Sequence, residues 1–75
     1  MKRLDIVWFM SGRAQYSFMD GGAEYTGYIR MGSAVDCTGD LVQTVYDKLE
    51  EDDIKLVGKC EVYCNGKLWE VVDNG

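Results

Sequence analysis

The chain has 75 residues, 47% of them apolar, and a net charge of −5 from 8 basic and 13 acidic side chains, with no histidine and no proline. That length predicts a single domain spanning 1–75 with a small core, and the apolar content excludes a disordered chain. No apolar run reaches the ~18–20 residues a bilayer crossing needs, and Met1-Lys2-Arg3-Leu4-Asp5 does not read as a signal peptide. A cytoplasmic protein with no membrane partner is therefore expected.

Period-2 patterning opens the chain. Leu4, Ile6, Trp8 and Met10 alternate on one face of a first strand, with Asp5, Val7 and Phe9 on the other. Ser11-Gly12-Arg13 reads as a turn, after which Ala14, Tyr16 and Phe18 alternate again. A three-residue Ser11–Arg13 loop sets Met10 opposite Ala14, Trp8 opposite Tyr16 and Ile6 opposite Phe18. It gathers the large apolar side chains on one side, as a two-residue loop would not. Asp20-Gly21-Gly22 is a turn signal, because glycine accepts a positive φ without steric cost. Tyr25, Gly27, Ile29 and Met31 then mark a third strand.

A helix is predicted from Gly39 or Asp40 to Glu50. Thr38 is its N-cap and Asp36 a rival cap, and Leu41, Val42, Val45, Tyr46 and Leu49 form its apolar stripe. Ile54 to Cys64 reads as one long strand. Asn65-Gly66 is a type I′ hairpin signal, and Lys67 to Val72 returns. That turn sets Cys64 opposite Lys67, Val62 opposite Trp69, Cys60 opposite Val71 and Glu61 opposite Glu70. The expected fold is α+β: an antiparallel five-stranded sheet (β-β-β-α-β-β) with one amphipathic helix packed on one face. A small SH3-like barrel with an inserted helix is the alternative.

Few residues suit catalysis. The absence of histidine removes Ser-His-Asp and Cys-His systems and the commonest metal ligand. Cys37, Cys60 and Cys64 do not form a zinc signature. On one strand, Cys60 and Cys64 lie about 13 Å apart at ~3.3 Å per residue, too far for a disulfide. Buried thiols in a reducing compartment are the simplest reading, with a Cys37 bridge to either as the alternative. Cys37 precedes the helix N-terminus, where a thiol pKa falls, but Asp36 and Asp40 oppose that shift and no base accompanies it. The contiguous acids Glu50 to Asp53 match neither a glycosidase pair nor a calcium loop. No enzyme, cofactor or metal site is expected.

The charge is concentrated. Residues 36–53 carry Asp36, Asp40, Asp47, Glu50, Glu51, Asp52 and Asp53 against one base, Lys48, for a segment charge of −6. Two placements run against local physics. Four acids at a helix C-terminus each cost on the order of 0.3–1 kcal/mol, and Glu61 facing Glu70 would repel across the last hairpin. A small domain tolerating both is expected to use negative charge in recognition, with solubility as the competing role. Asp36, Asp40, Asp47, Glu50, Glu51, Asp52, Asp53, Glu61 and Glu70 are the candidate acidic partner-binding residues. Val7 and the candidate apolar contacts Phe9, Tyr28, Tyr63 and Leu68 fall on the sheet face away from the helix, as a protein or dimer interface would.

In size, in acidity and in lacking catalytic residues, the chain resembles small phage-encoded inhibitors, including anti-CRISPR proteins. The resemblance spans all 75 residues and centres on Asp36–Asp53. It implies a non-enzymatic inhibitor whose acids stand in for nucleic-acid phosphates on a basic, nucleic-acid-binding protein surface, such as that of a Cas effector. Direct nucleic-acid binding is not expected, because the charge balance is negative. The alternative function is a structural subunit or homodimer using the exposed aromatic sheet face.

Overall fold

The computed structural model describes residues 2–9, 12–31 and 38–74. Five strands and one helix follow in the order β1 (Lys2–Phe9), β2 (Arg13–Asp20), β3 (Ala23–Arg30), α1 (Gly39–Glu51), β4 (Gly58–Cys64) and β5 (Lys67–Asn74). They form one sheet of order β3-β2-β1-β4-β5. The α+β class and the single helix agree with expectation, but the sheet is mixed rather than antiparallel, because β1 and β4 run parallel. The cause is the helix itself. β3 runs parallel to β1, since each is antiparallel to β2. A 13-residue helix returns the chain about 20 Å along the sheet, so β4 starts at the same end as β3 and settles beside β1. β3 and β5 remain open edges, so the barrel alternative does not apply.

The first hairpin keeps its expected face and changes its register. Trp8 lies opposite Ala14, Ile6 opposite Tyr16 and Leu4 opposite Phe18, with Phe9 against Arg13. The pairing thus extends to Phe9 on β1 and Arg13 on β2. Gly12 supplies the positive φ of 79° and donates its N–H to Phe9 O at 3.1 Å. A shift of two residues leaves each side chain on its side of the sheet, so alternation alone could not detect it. At the second hairpin Asp20 faces Ala23 across Gly21-Gly22, with Gly21 at φ 64°.

Helix α1 starts where its cap predicts. Thr38 is extended, and its Oγ1 accepts Leu41 N–H at 3.2 Å. The rival cap Asp36 lies outside the described residues. Leu41, Val42, Val45 and Leu49 are buried on Leu4, Ile6, Ala14, Tyr16, Phe18, Cys60, Val62 and Cys64. The helix ends in a Schellman arrangement: Ile54 N–H reaches Leu49 O at 2.9 Å, and Asp53 N–H reaches Glu50 O at 3.0 Å. Asp53 takes the left-handed position, with φ 61°. Ile54 and Leu56 then pack against the core, and β4 begins only at Gly58, at φ 81°. The long strand expected from Ile54 is thus shortened by the helix's own cap, which turns Ile54 inward.

The last hairpin has the expected turn, with Asn65 and Gly66 at φ 52° and 83°, and an unexpected bulge. Cys64 faces Lys67 and Tyr63 faces Leu68, but Val62 faces Glu70, Glu61 faces Val71 and Cys60 faces Val72. Trp69 is the extra residue on β5. The predicted Val62–Trp69, Cys60–Val71 and Glu61–Glu70 pairs do not form. A two-residue turn sets register only up to the first bulge. The expected Glu61–Glu70 repulsion is absent, since the two acids fall on opposite faces.

Cysteine usage also departs from expectation. Cys60 is a buried free thiol, and burial pushes its pKa up, which makes it a poor nucleophile. Cys64 is disulfide-bonded. The intrastrand exclusion holds, but a set of buried thiols does not describe the chain, and the inference of a reducing compartment loses its basis. No described helix is long and apolar enough to cross a membrane.

Gly27 sits opposite Tyr16 for a steric reason. A Cβ there would lie 2.3 Å from the Tyr16 hydroxyl and 2.4 Å from Cζ, so the buried ring lies across the glycine. The Tyr16 hydroxyl is buried without a hydrogen-bond partner. Gly27→Ala is expected to cost about 1–3 kcal/mol through overpacking, read as a lowered urea midpoint. Tyr16→Phe, which removes a buried hydroxyl that interacts with Tyr25, is expected to move that midpoint less than Gly27→Ala does.

Candidate functional site

The acids of residues 36–53 do not form one patch. Asp40 is in the first turn of α1, about 15 Å along the axis from Glu50, and Asp36 lies outside the described residues. Asp47, Glu50, Glu51, Asp52 and Asp53 gather at the C-terminal end of α1 and are exposed. The ion pairs formed among the described residues are Lys2–Asp20 and Arg3–Asp5, so no described base pairs with the helix-end acids. Asp47 accepts from Gln43 Nε2 at 3.0 Å, one turn back.

Asp52 has a structural role that periodicity could not show. The Tyr25 hydroxyl donates to its Oδ2 at 2.5 Å, tying the helix end to edge strand β3. Glu70 acts likewise on the other side: the Tyr46 hydroxyl donates to its Oε2 at 2.6 Å, tying α1 to edge strand β5. Both carboxylates hold the phenolic proton in place. Tyr25 is pushed up to about 12, first by the Asp52 hydrogen bond and then by burial. Tyr46 is raised further, by burial first and then by Glu70.

Three acids remain uncommitted at this end of α1: Glu50, Glu51 and Asp53. Beside them opens a groove of about 360 Å³ lined by Tyr46, Glu50, Ile54, Lys55, Leu56, Val57 and Val72. The sequence reading missed this groove because residues 54–57 were assigned to a strand. Glu61 is elsewhere, on the face away from the helix, where Arg3 faces it across the β1–β4 ladder.

The apolar candidates fall where alternation put them. Val7, Phe9, Tyr28 and Leu68 are exposed, Tyr28 at 66% and Leu68 at 55%, and Tyr63 is half-buried. The Arg3 guanidinium lies 4.0 Å from the centre of the Tyr63 ring and bonds Asp5 at 2.9 Å, so this part of the face is already occupied by charge. Cys37 lies outside the described residues. Among the described residues no group of three or more acids or cysteines is placed to hold a metal. No protein-family model, curated protein sequence or solved structure matches the chain.

Two outcomes follow from this geometry. Tyr25 binds its proton more tightly folded than unfolded, so its contribution to stability is complete below pH 10 and is lost as the pH rises toward about 12. Urea midpoints should fall across that window in the natural chain and fall less in Tyr25→Phe; equal slopes would refute the Tyr25–Asp52 tie. Asp53→Gly relieves a left-handed residue and removes an acid from a helix C-terminus. It is expected to stabilise by about 1 kcal/mol, measured by the same titration.

Proposed function

We propose that the chain is a non-enzymatic protein-binding inhibitor or regulator whose α1 C-terminal end engages a basic protein surface. The observation that carries this reading is the state of Glu50, Glu51 and Asp53. They are exposed, lack a described cationic partner and stand on a helix end anchored to the sheet by Tyr25 and Tyr46. An anchored acid cluster loses little conformational entropy on binding, and its one-sided field steers a basic partner. The adjoining groove, lined by Ile54, Leu56, Val57 and Val72, offers an apolar side chain of that partner a place beside the charge.

The partner of this reading is a nucleic-acid-binding protein, with the three carboxylates spaced along the chain in place of phosphates. An anti-CRISPR-type inhibitor acting on a Cas effector is the specific form that the resemblance in size, acidity and missing catalytic groups suggests. Asp52 and Glu70 belong to the scaffold in this scheme, and Asp40 and Glu61 lie too far away to join the same contact.

Glu50→Lys/Glu51→Lys/Asp53→Lys, which leaves Asp52 in place, is expected to abolish capture of such a partner while the fold persists. The check is a pull-down from host cells with both chains, repeated at rising salt and with competing nucleic acid. Capture by the natural chain should weaken with salt and with competitor. Capture unchanged by the triple substitution refutes the reading.

A further inference from the structure

Helix α1 is held unequally along its length. Its C-terminal end is tied to both edge strands by the Tyr25–Asp52 and Tyr46–Glu70 hydrogen bonds. At its N-terminal end Thr38 caps only the helix itself, through its Oγ1 to Leu41 N–H and its carbonyl to Val42 N–H. Among the described residues no side-chain hydrogen bond or ion pair joins that first turn to the sheet. The cysteines bear on the same end. Cys64 closes β4, beside Ile6 on β1, and is disulfide-bonded, whereas Cys60 is a free thiol. Cys60 and Cys64 are 0% and 3% exposed. They share one face of one strand about 13 Å apart, beyond the ~7 Å that a disulfide spans. The chain has three cysteines, so Cys37, which lies outside the described residues, is the one sulfur of this chain left to pair with Cys64. A cysteine of another molecule would have to reach a side chain packed in the core with Leu4, Ile6 and Leu41.

We infer that Cys37 and Cys64 form a redox-sensitive staple that fastens the start of α1 to the end of β4. Cys37 directly precedes the cap Thr38, so the bond supplies at this end of the helix what the two tyrosines supply at the other. It closes segment 37–64, which contains the whole of α1, and closing so long a segment restricts the unfolded chain. Its formation takes two protons and two electrons from the two thiols. The disulfide of an exchange protein or of an oxidised small thiol accepts them and leaves as two thiols. A dithiol reductant reverses the step. One of its thiolates bonds to one cysteine sulfur and the other cysteine leaves; its second thiol then closes the reductant's own disulfide and frees the remaining cysteine. Attack at Cys64 waits for the start of α1 to lift, because that sulfur is covered. Cys60 does not compete for the bond, since burial pushes its pKa up and keeps it a thiol. The staple couples the firmness of the helix start to the redox state of the surroundings, and leaves the acidic end of α1 on its own anchors.

The test begins with the natural chain, alkylated with iodoacetamide in denaturant without reduction and cut with trypsin. Mass spectrometry should find peptides 31–48 and 60–67 joined, with the label on Cys60 and none on Cys37 or Cys64. A labelled Cys37, a bridge to Cys60 or a covalent dimer overturns the inference. Dithiothreitol should lower the urea midpoint of the natural chain by about 1–2 M. It should lower that of Cys60→Ala by a similar amount and leave that of Cys37→Ser where it is. A natural chain indifferent to dithiothreitol overturns the staple. Its position is read by amide exchange in the natural chain, which needs no variant to fold. Reduction should speed exchange at Val42, whose N–H is bonded to Thr38 O, about tenfold more than at Leu49. Equal acceleration at both would spread the bond's effect over the whole fold and overturn its role at the helix start.

Discussion

One helix has to cover one face of a five-stranded sheet, and it is too narrow to do so alone. The sheet is about 24 Å wide at ~4.8 Å per strand, whereas a helix with its side chains is about 10 Å across. Leu41, Val42, Val45 and Leu49 seal the central strands completely. The margins are closed by other means. Tyr16 lies across Gly27 toward β3, Ile54 and Leu56 fold in beneath the helix end, and two tyrosine–carboxylate bonds tie α1 to both edge strands. The Schellman turn serves this closure, since it brings Ile54 back onto the core and carries Asp52 to within reach of Tyr25.

The bulge at Trp69 is part of the same arrangement. Without it, Glu70 would lie on the outer face opposite Glu61, a repulsive pair. With it, Glu70 crosses to the helix side and receives the Tyr46 hydroxyl. One inserted residue therefore removes a like-charge contact and supplies an anchor for α1. It also leaves Leu68 opposite Tyr63 on the open face, so the apolar character of that face survives the change of register.

The two faces of the domain differ in electrostatic character. The helix end carries more acids than bases, and none of its acids forms an ion pair with a described base. The open sheet face carries both signs, with Arg13 and Arg30 at one end and Arg3 and Lys59 interleaved with Glu24, Glu61 and Asp73 toward the other.

Local sequence determined much of this protein by itself. Alternation assigned inner and outer faces for β1, β2 and β3, and the spacing of Leu41, Val42, Val45 and Leu49 set the buried stripe. Thr38, Gly21-Gly22 and Asn65-Gly66 marked a cap and two turns, because these are properties of a few neighbouring residues. Tertiary structure decided the rest. The parallel β1–β4 pairing depends on where a helix returns the chain, and the shifted first hairpin leaves alternation unchanged. The Trp69 bulge and the partners of Asp52 and Glu70 depend on side chains that meet from opposite edges of the sheet. The acidic segment was visible as a count of charges. Which acids tie the helix to the sheet was settled by contacts between residues 24 to 27 positions apart, a separation at which sequence pattern carries no geometric information.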